Sequence, residues 1–162
     1  MLRTLFFYLM LFFASPALAQ TLPPAMTEDY SGLVGETSLS DIGLVRNGNA
    51  ADNRMGGTNL KDAFYGAHGN DVLVGYEGFD TYTFEAGDGL DVIVDLSPLG
   101  NKIKFRGVPE SVVRLSEVPG FNGETDRLVT YGENSMIRII GWSRLSDAAK
   151  SAWTFEHFFL PN

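Results

Sequence analysis

A nine-residue period runs through the middle of this chain and limits its fold more than any other feature. Written in register, the sequence reads GNAADNRMG (48–56), GTNLKDAFY (57–65), GAHGNDVLV (66–74) and GYEGFDTYT (75–83). After the two-residue insertion Phe84-Glu85 it returns as AGDGLDVIV (86–94). Three columns agree independently. The first position holds Gly48, Gly57, Gly66, Gly75 and Ala86; the sixth Asn53, Asp62, Asp71, Asp80 and Asp91; the eighth Met55, Phe64, Leu73, Tyr82 and Ile93. Such a unit is a turn followed by a very short strand, because glycine allows the φ > 0 geometry of tight turns while Val, Ile, Phe and Tyr favour strands. Two units then make one coil, stacked coils turn the eighth column inward, and that column becomes a thin core.

Coiling also stacks the acids. Asp62 and Asp80 lie two units apart and share one edge; Asp71 and Asp91 share the opposite edge. Carboxylates brought together this way repel one another unless a cation lies among them. Oxygen ligands supplied by carboxylates and turn carbonyls suit Ca²⁺, which accepts six to eight of them in irregular geometry, better than Mg²⁺. Zinc is disfavoured, since the chain has no Cys and only His68 and His157.

The N-terminus reads as a leader. A single positive charge at Arg3 precedes an apolar run from Leu5 to Phe13, too short to span a bilayer, and Ala17-Leu18-Ala19 offers a cleavage site before Gln20. The expectation is therefore a secreted protein, periplasmic or extracellular, and not an integral membrane protein once the leader is removed. The chain has 12 basic and 20 acidic residues, and loss of Arg3 leaves the mature form at −9. That surplus argues against nucleic acid or anionic lipid as partner, which need a basic footprint, and favours a cation. With no cysteine, an exported fold of this size lacks disulfides, and bound metal is one alternative source of stability.

Residues 20–47 read as a linker, marked by Pro23-Pro24, and a lead-in segment with a strand near Gly43–Arg46. Beyond Asp95 the pattern stops. Antiparallel strands are expected near 102–105, 111–115, 127–131 and 135–140, followed by a short helix over 147–152 with Ser146 as N-cap and a closing segment at 155–159. Ile103, Phe105, Val113, Leu115, Leu128, Tyr131, Ile137, Ile139, Trp142, Trp153, Phe155 and Phe158 are the expected core of this region, which covers the open end of the coils.

GAHGNDVLV and GYEGFDTYT resemble the G-G-x-G-x-D-x-U-x nonapeptide of the RTX, or haemolysin-type calcium-binding, family. TYTFEAGDGLDVIVDL resembles the segment that ends many such arrays, and 103–108, 128–130 and 137–142 are similar to the β-rich module that commonly follows them. The resemblance implies an all-β fold: a short parallel β-roll over 48–95, folded by calcium and capped by an antiparallel β-rich module over 96–162, after a leader (1–19) and lead-in (20–47). It implies one or two Ca²⁺ ions. One site would use Asp71 with carbonyls near Gly66 and His68, facing Asp91 with carbonyls near Gly87 and Gly89. A second would use Asp62 and Asp80 with carbonyls near Gly57, Asn59, Tyr76 and Gly78. Leu60 replaces a family glycine in that second set, and Asn53 replaces the first aspartate, which weakens a third site between Asn53 and Asp71. The side chains of His68, Glu77 and Asp88 are expected in solvent.

Function follows from the same residues. Neither H-E-x-x-H nor G-x-S-x-G occurs, and 20–47 is too short for a catalytic unit, so an enzyme is not expected. The expected role is a calcium-folded structural or interaction module, whose partner besides calcium is a cell-surface or extracellular component. The alternatives are an adhesion or matrix component and a remnant accessory domain of an RTX enzyme.

Overall fold

The period-nine units do form short strands, and those strands alternate between two sheets. The structure, a computed structural model, describes residues 43–158; the expected leader, most of the lead-in segment and the last closing residues lie outside that range. Strands β1 (Val45–Asn47), β3 (Ala63–Tyr65), β5 (Thr81–Glu85), β7 (Lys102–Arg106) and β11 (Thr154–Phe158) make one sheet, in that order. The second sheet runs β2 (Arg54–Gly56), β4 (Val72–Tyr76), β6 (Leu90–Asp95), β10 (Met136–Ile139), β9 (Thr125–Tyr131), β8 (Val113–Pro119). Arg54 pairs Val72, and Val45 pairs Ala63, which pairs Thr81, each in parallel at the eighteen-residue offset of two units. The Phe84-Glu85 insertion lengthens the next offset, so that Val72 pairs Val92.

The eighth column faces inward. Leu73, Tyr82 and Ile93 are fully buried, Phe64 nearly so, and Met55 packs against them from the open end. Phe64 and Tyr82 stack at 5.0 Å between ring centroids, and Trp153 continues the stack at 6.4 Å from Tyr82. Aromatic pairs of this kind add about 0.5–1.5 kcal/mol beyond their burial, so the stack ties the closing segment to the coils. Alternation places Val72, Val74, Val92 and Val94 on the other face of the second sheet, where they form a separate buried cluster with Ile140.

The region after Asp95 differs from expectation in strand direction. β7 pairs β5 in parallel, β10 pairs β6 in parallel, and β11 pairs β7 in parallel; only β8, β9 and β10 pair antiparallel. Period-two alternation in Lys102–Arg106 predicts which side chains face inward but not which neighbour the strand takes. Here the loop 96–101 acts as one more turn, Asn101 takes the place of a column aspartate twenty-one residues after Asp80, and the coil continues. The expected helix, here α1 (Asp147–Ala152), is present with Ser146 Oγ accepting from the Ala149 N–H. Most of the expected core of this region is buried, but Leu115 lies on edge strand β8 and is half exposed.

Candidate metal centre

Two kinds of turn join the strands. In the turns over 66–71, 75–80 and 86–91, the second position (Ala67, Tyr76, Gly87) and the fourth (Gly69, Gly78, Gly89) have positive φ, the fourth near +120°. The earlier turns, over 48–53 and 57–62, have none and are closed by side chains instead: Asn53 Oδ1 accepts from the Asn49 N–H, and Asp62 Oδ2 accepts from the Thr58 N–H at 2.6 Å. The first-position glycines serve a purpose other than positive φ. Each lies beneath the column residue of its own unit, so that a Cβ on Gly57 would sit 2.5 Å from Asp62 Oδ2 and one on Gly66 2.2 Å from Asp71 Oδ2.

Coiling builds two ladders of main-chain donors and column acceptors. On one edge Asn53 N–H donates to Asp71 Oδ1 at 2.7 Å, and Asp71 N–H donates to Asp91 Oδ1 at 2.9 Å. On the other, Leu44 N–H donates to Asp62 Oδ1, Asp62 N–H to Asp80 Oδ1 at 2.7 Å, and Asp80 N–H to Asn101 Oδ1 at 2.8 Å. One oxygen of each aspartate thus accepts from a main-chain amide in the coil below, which leaves the other as the chemically informative atom.

Those second oxygens separate the candidates. Asp71 Oδ2 is buried and has no hydrogen-bond partner, while Asp91 Oδ2 has only the Tyr131 hydroxyl at 3.5 Å. Asp71 and Asp91 are both fully buried and no ion pair among the described residues includes either. Asp62 is different, since its Oδ2 is taken by the N–H and hydroxyl of Thr58. The Gly78 carbonyl accepts from Ser97 Oγ. Of the oxygens expected at the second site, Asp62 and Gly78 are therefore already engaged; Gly57 is buried, Asn59 half-buried, and Tyr76 packs against the valine cluster.

Asp88 was expected in solvent and is instead 1% exposed. Its Oδ2 accepts from the Glu85 N–H at 2.7 Å, and its Oδ1 lies 3.5 Å from His68 Nδ1 with no hydrogen-bond partner. His68 reaches across from the turn below, exposed as expected, with Nδ1 3.2 Å from the Gly87 carbonyl oxygen. Glu77 is exposed as expected. Pattern reasoning missed two other residues, Asp95 and Asn101. Asp95 continues the inward alternation of Asp91 and Ile93, and Asn101 stands in a spacing of twenty-one rather than eighteen.

Burial is what governs the charge of these groups. It pushes Asp71 up to about 6 and Asp91 to about 8, helped by nearby Asp88 in both cases and opposed by the amides that donate to them. Burial raises Asp80 to about 9, with Asp95 adding to the shift, and raises Asp88 and Asp95 as well. Unfolded carboxyls titrate near 4, so in the absence of a cation these groups favour the fold fully below about pH 4. That contribution drains away as pH climbs through 6, 8 and 9. In chelator, the melting temperature is therefore expected to fall from pH 5 to pH 8.5, and millimolar Ca²⁺ is expected to flatten the slope; a flat profile in chelator contradicts the burial argument.

Among the described residues no three His, Cys, Asp or Glu side chains converge as ligands of a metal. Of the carbonyls expected at the first site, that of Gly89 accepts from the Met136 N–H at 2.9 Å, so a cation between the turns 66–71 and 86–91 would have to draw on Asp71, Asp91 and the remaining main-chain carbonyls, a hard-oxygen set of the kind calcium takes. The partnerless Asp71 Oδ2 fits such an ion. No helix among the described residues is long and apolar enough to cross a membrane. No family model matches the chain, and no curated protein is significantly similar to it.

Proposed function

We propose that this chain is an exported calcium-binding protein whose coils form a short parallel β-roll that folds around Ca²⁺ and serves as a structural or interaction module toward an extracellular component. The observation that carries the reading is the Asp71–Asp91 step: two fully buried carboxylates one coil apart, one with an oxygen that has no partner, beneath turns with positive φ at their second and fourth positions. Parallel strands that alternate between two sheets at an eighteen-residue offset support the roll, and the leader-like residues 1–19 support export. The buried position of these acids suits the binding of an ion better than acid–base work on a substrate, which has to reach them.

Calcium in this role acts through mass action. At an affinity ordinary for extracellular sites, about 10⁻⁴ to 10⁻³ M, each ion at about 1 mM calcium adds roughly 0.5 to 1.5 kcal/mol. Circular dichroism melts of the mature chain in calcium and in chelator test the proposal. The expected result is loss of β signal or a melting point several degrees lower in chelator; identical melts, with no ion retained on dialysis, overturn it.

A further inference from the structure

We propose that Arg46 and Arg114 seal the two edges of the second sheet and so hold this chain apart from a second copy of itself. Among the described residues that sheet ends in β2 on one side and β8 on the other. An edge strand presents a row of main-chain N–H and C=O groups on which another chain can add a strand.

β8 is the longer template. Gly120 N–H donates to the Glu124 carbonyl oxygen at 2.9 Å where β8 turns into β9, and Tyr131 N–H donates to the Ser135 carbonyl oxygen at 3.0 Å on the other side of β9. Antiparallel alternation then points the main-chain groups of Arg114, Ser116 and Val118 at β9, and those of Val113, Leu115 and Glu117 at solvent. Leu115 is 49% exposed and neighbouring Val112 40%. A two-fold axis at Leu115 would let this edge pair with itself, the N–H and C=O of Val113 meeting the C=O and N–H of Glu117 in the second copy.

Two features stand against that pairing. Arg114 Nη1 donates to the Ser111 carbonyl oxygen at 2.6 Å and to the Val113 carbonyl oxygen at 2.9 Å, so the acceptor that Glu117 N–H of a second copy would need is already taken. Pro119, the next outward residue, has no N–H and stops the ladder from lengthening. What remains open, Leu115 and Glu117, is shorter than an ordinary strand.

The same device closes β2. Gly57 N–H donates to the Val74 carbonyl oxygen and Val72 N–H to that of Asn53, both at 2.8 Å, which turns the main-chain groups of Arg54 and Gly56 away from β4. The Gly56 carbonyl oxygen accepts from Arg46 Nε at 2.9 Å. Arg46 stands beside Phe64 in the register of the first sheet, so its side chain crosses the open end of the core from one sheet to the other. A further coil added there would bury that guanidinium, which is far more costly than burying an apolar side chain. Neither arginine contacts a column acid, so the inference stands whether or not the coils bind calcium.

The test is sedimentation of the full mature chain across a wide range of concentration, in calcium and in chelator, with melts of every variant. The unmodified chain is expected to stay monomeric. Arg114→Thr frees the Val113 carbonyl and suits a strand, and its self-association is expected to be tighter by about tenfold or more, because the two-fold counts each freed acceptor twice. Arg114 is exposed, so this variant is expected to fold as the unmodified chain does. Adding Leu115→Lys is expected to reverse the association, since like charges then meet at the axis, and that reversal assigns it to β8. Arg46→Thr is expected to associate through β2, where Leu115→Lys has no effect. An Arg114→Thr chain that folds and remains monomeric at every concentration overturns the inference. So does an unmodified chain that associates and loses the association in Leu115→Lys, because its edge would then be open already. A folded Arg46→Thr chain that stays monomeric overturns the part that concerns β2.

Discussion

Replacing Asp71 and Asp91 together by alanine is expected to weaken calcium binding between the turns 66–71 and 86–91 by about a hundredfold or more. Interactions with a charged oxygen are worth roughly 1.5–3 kcal/mol each, and two of them amount to at least two decades of affinity. The alanine pair also removes the acceptors for the Asn53 and Asp71 amides, so it is expected to destabilise the chain in chelator as well. Asparagine separates these effects. Asn101 already stands in the opposite ladder, where its Oδ1 accepts from Asp80 N–H without any charge. Asp71→Asn with Asp91→Asn should therefore lose the ion, keep the ladder, and stand at least as firmly as the unmodified chain in chelator at pH 8. Isothermal titration with calcium, paired with melts in chelator, reads both quantities. Unchanged affinity in the asparagine pair contradicts the assignment of these carboxylates to an ion.

The second large effect is expected at Gly89. Its φ of +119° lies in a region that side chains rarely adopt, and a Cβ there would meet the Gly69 carbonyl oxygen of the coil below at 2.0 Å. That oxygen is main chain and cannot turn aside. Strain of about 1–3 kcal/mol and overpacking of similar size combine, so Gly89→Ala is expected to cost about 3 kcal/mol or more. Gly87 is the matched control: its φ is +91°, but a Cβ there meets nothing within 4 Å. Gly87→Ala then costs only the strain, on the order of 1 kcal/mol. Urea unfolding of both variants at fixed calcium measures the difference, and equal losses contradict the claim that coil-to-coil contact at Gly89 is limiting.

Much of this arrangement is legible in the sequence itself. The eighth column announced its burial because one apolar residue recurs at a fixed place in each unit, and Phe64, Leu73, Tyr82 and Ile93 are all in the core. The sixth column announced that its acids would stack, but not that a main-chain amide of the coil below would take one oxygen of each. Strand direction after Asp95 was not legible, since alternation in Lys102–Arg106 is the same for either neighbour. The role of the first glycines was misread for a physical reason: composition reveals that a side chain is absent, but not whether the absence serves φ or makes space for Asp71 Oδ2. The burial of Asp88 was hidden too, because it depends on the Glu85 amide and on His68 reaching over from another turn. Leu60 in place of a glycine already set the Asp62 site below the Asp71 site, but that the hydroxyl of Thr58, four residues before Asp62, occupies the oxygen a metal would need was not legible.

The eighteen-residue offset between stacked strands bears on how such a molecule can change in length. Every ladder amide, stacked ring and column acid in the early coils finds its counterpart one offset away, so duplicating a block of that size adds a storey and preserves the contacts on both sides of the join. Inserting nine residues would instead send each later strand to the wrong sheet. Growth by duplication of a block would thereby be quantised in whole coils, and the two unequal spacings are accommodated differently: Phe84-Glu85 lengthens strand β5, while 96–101 forms a turn.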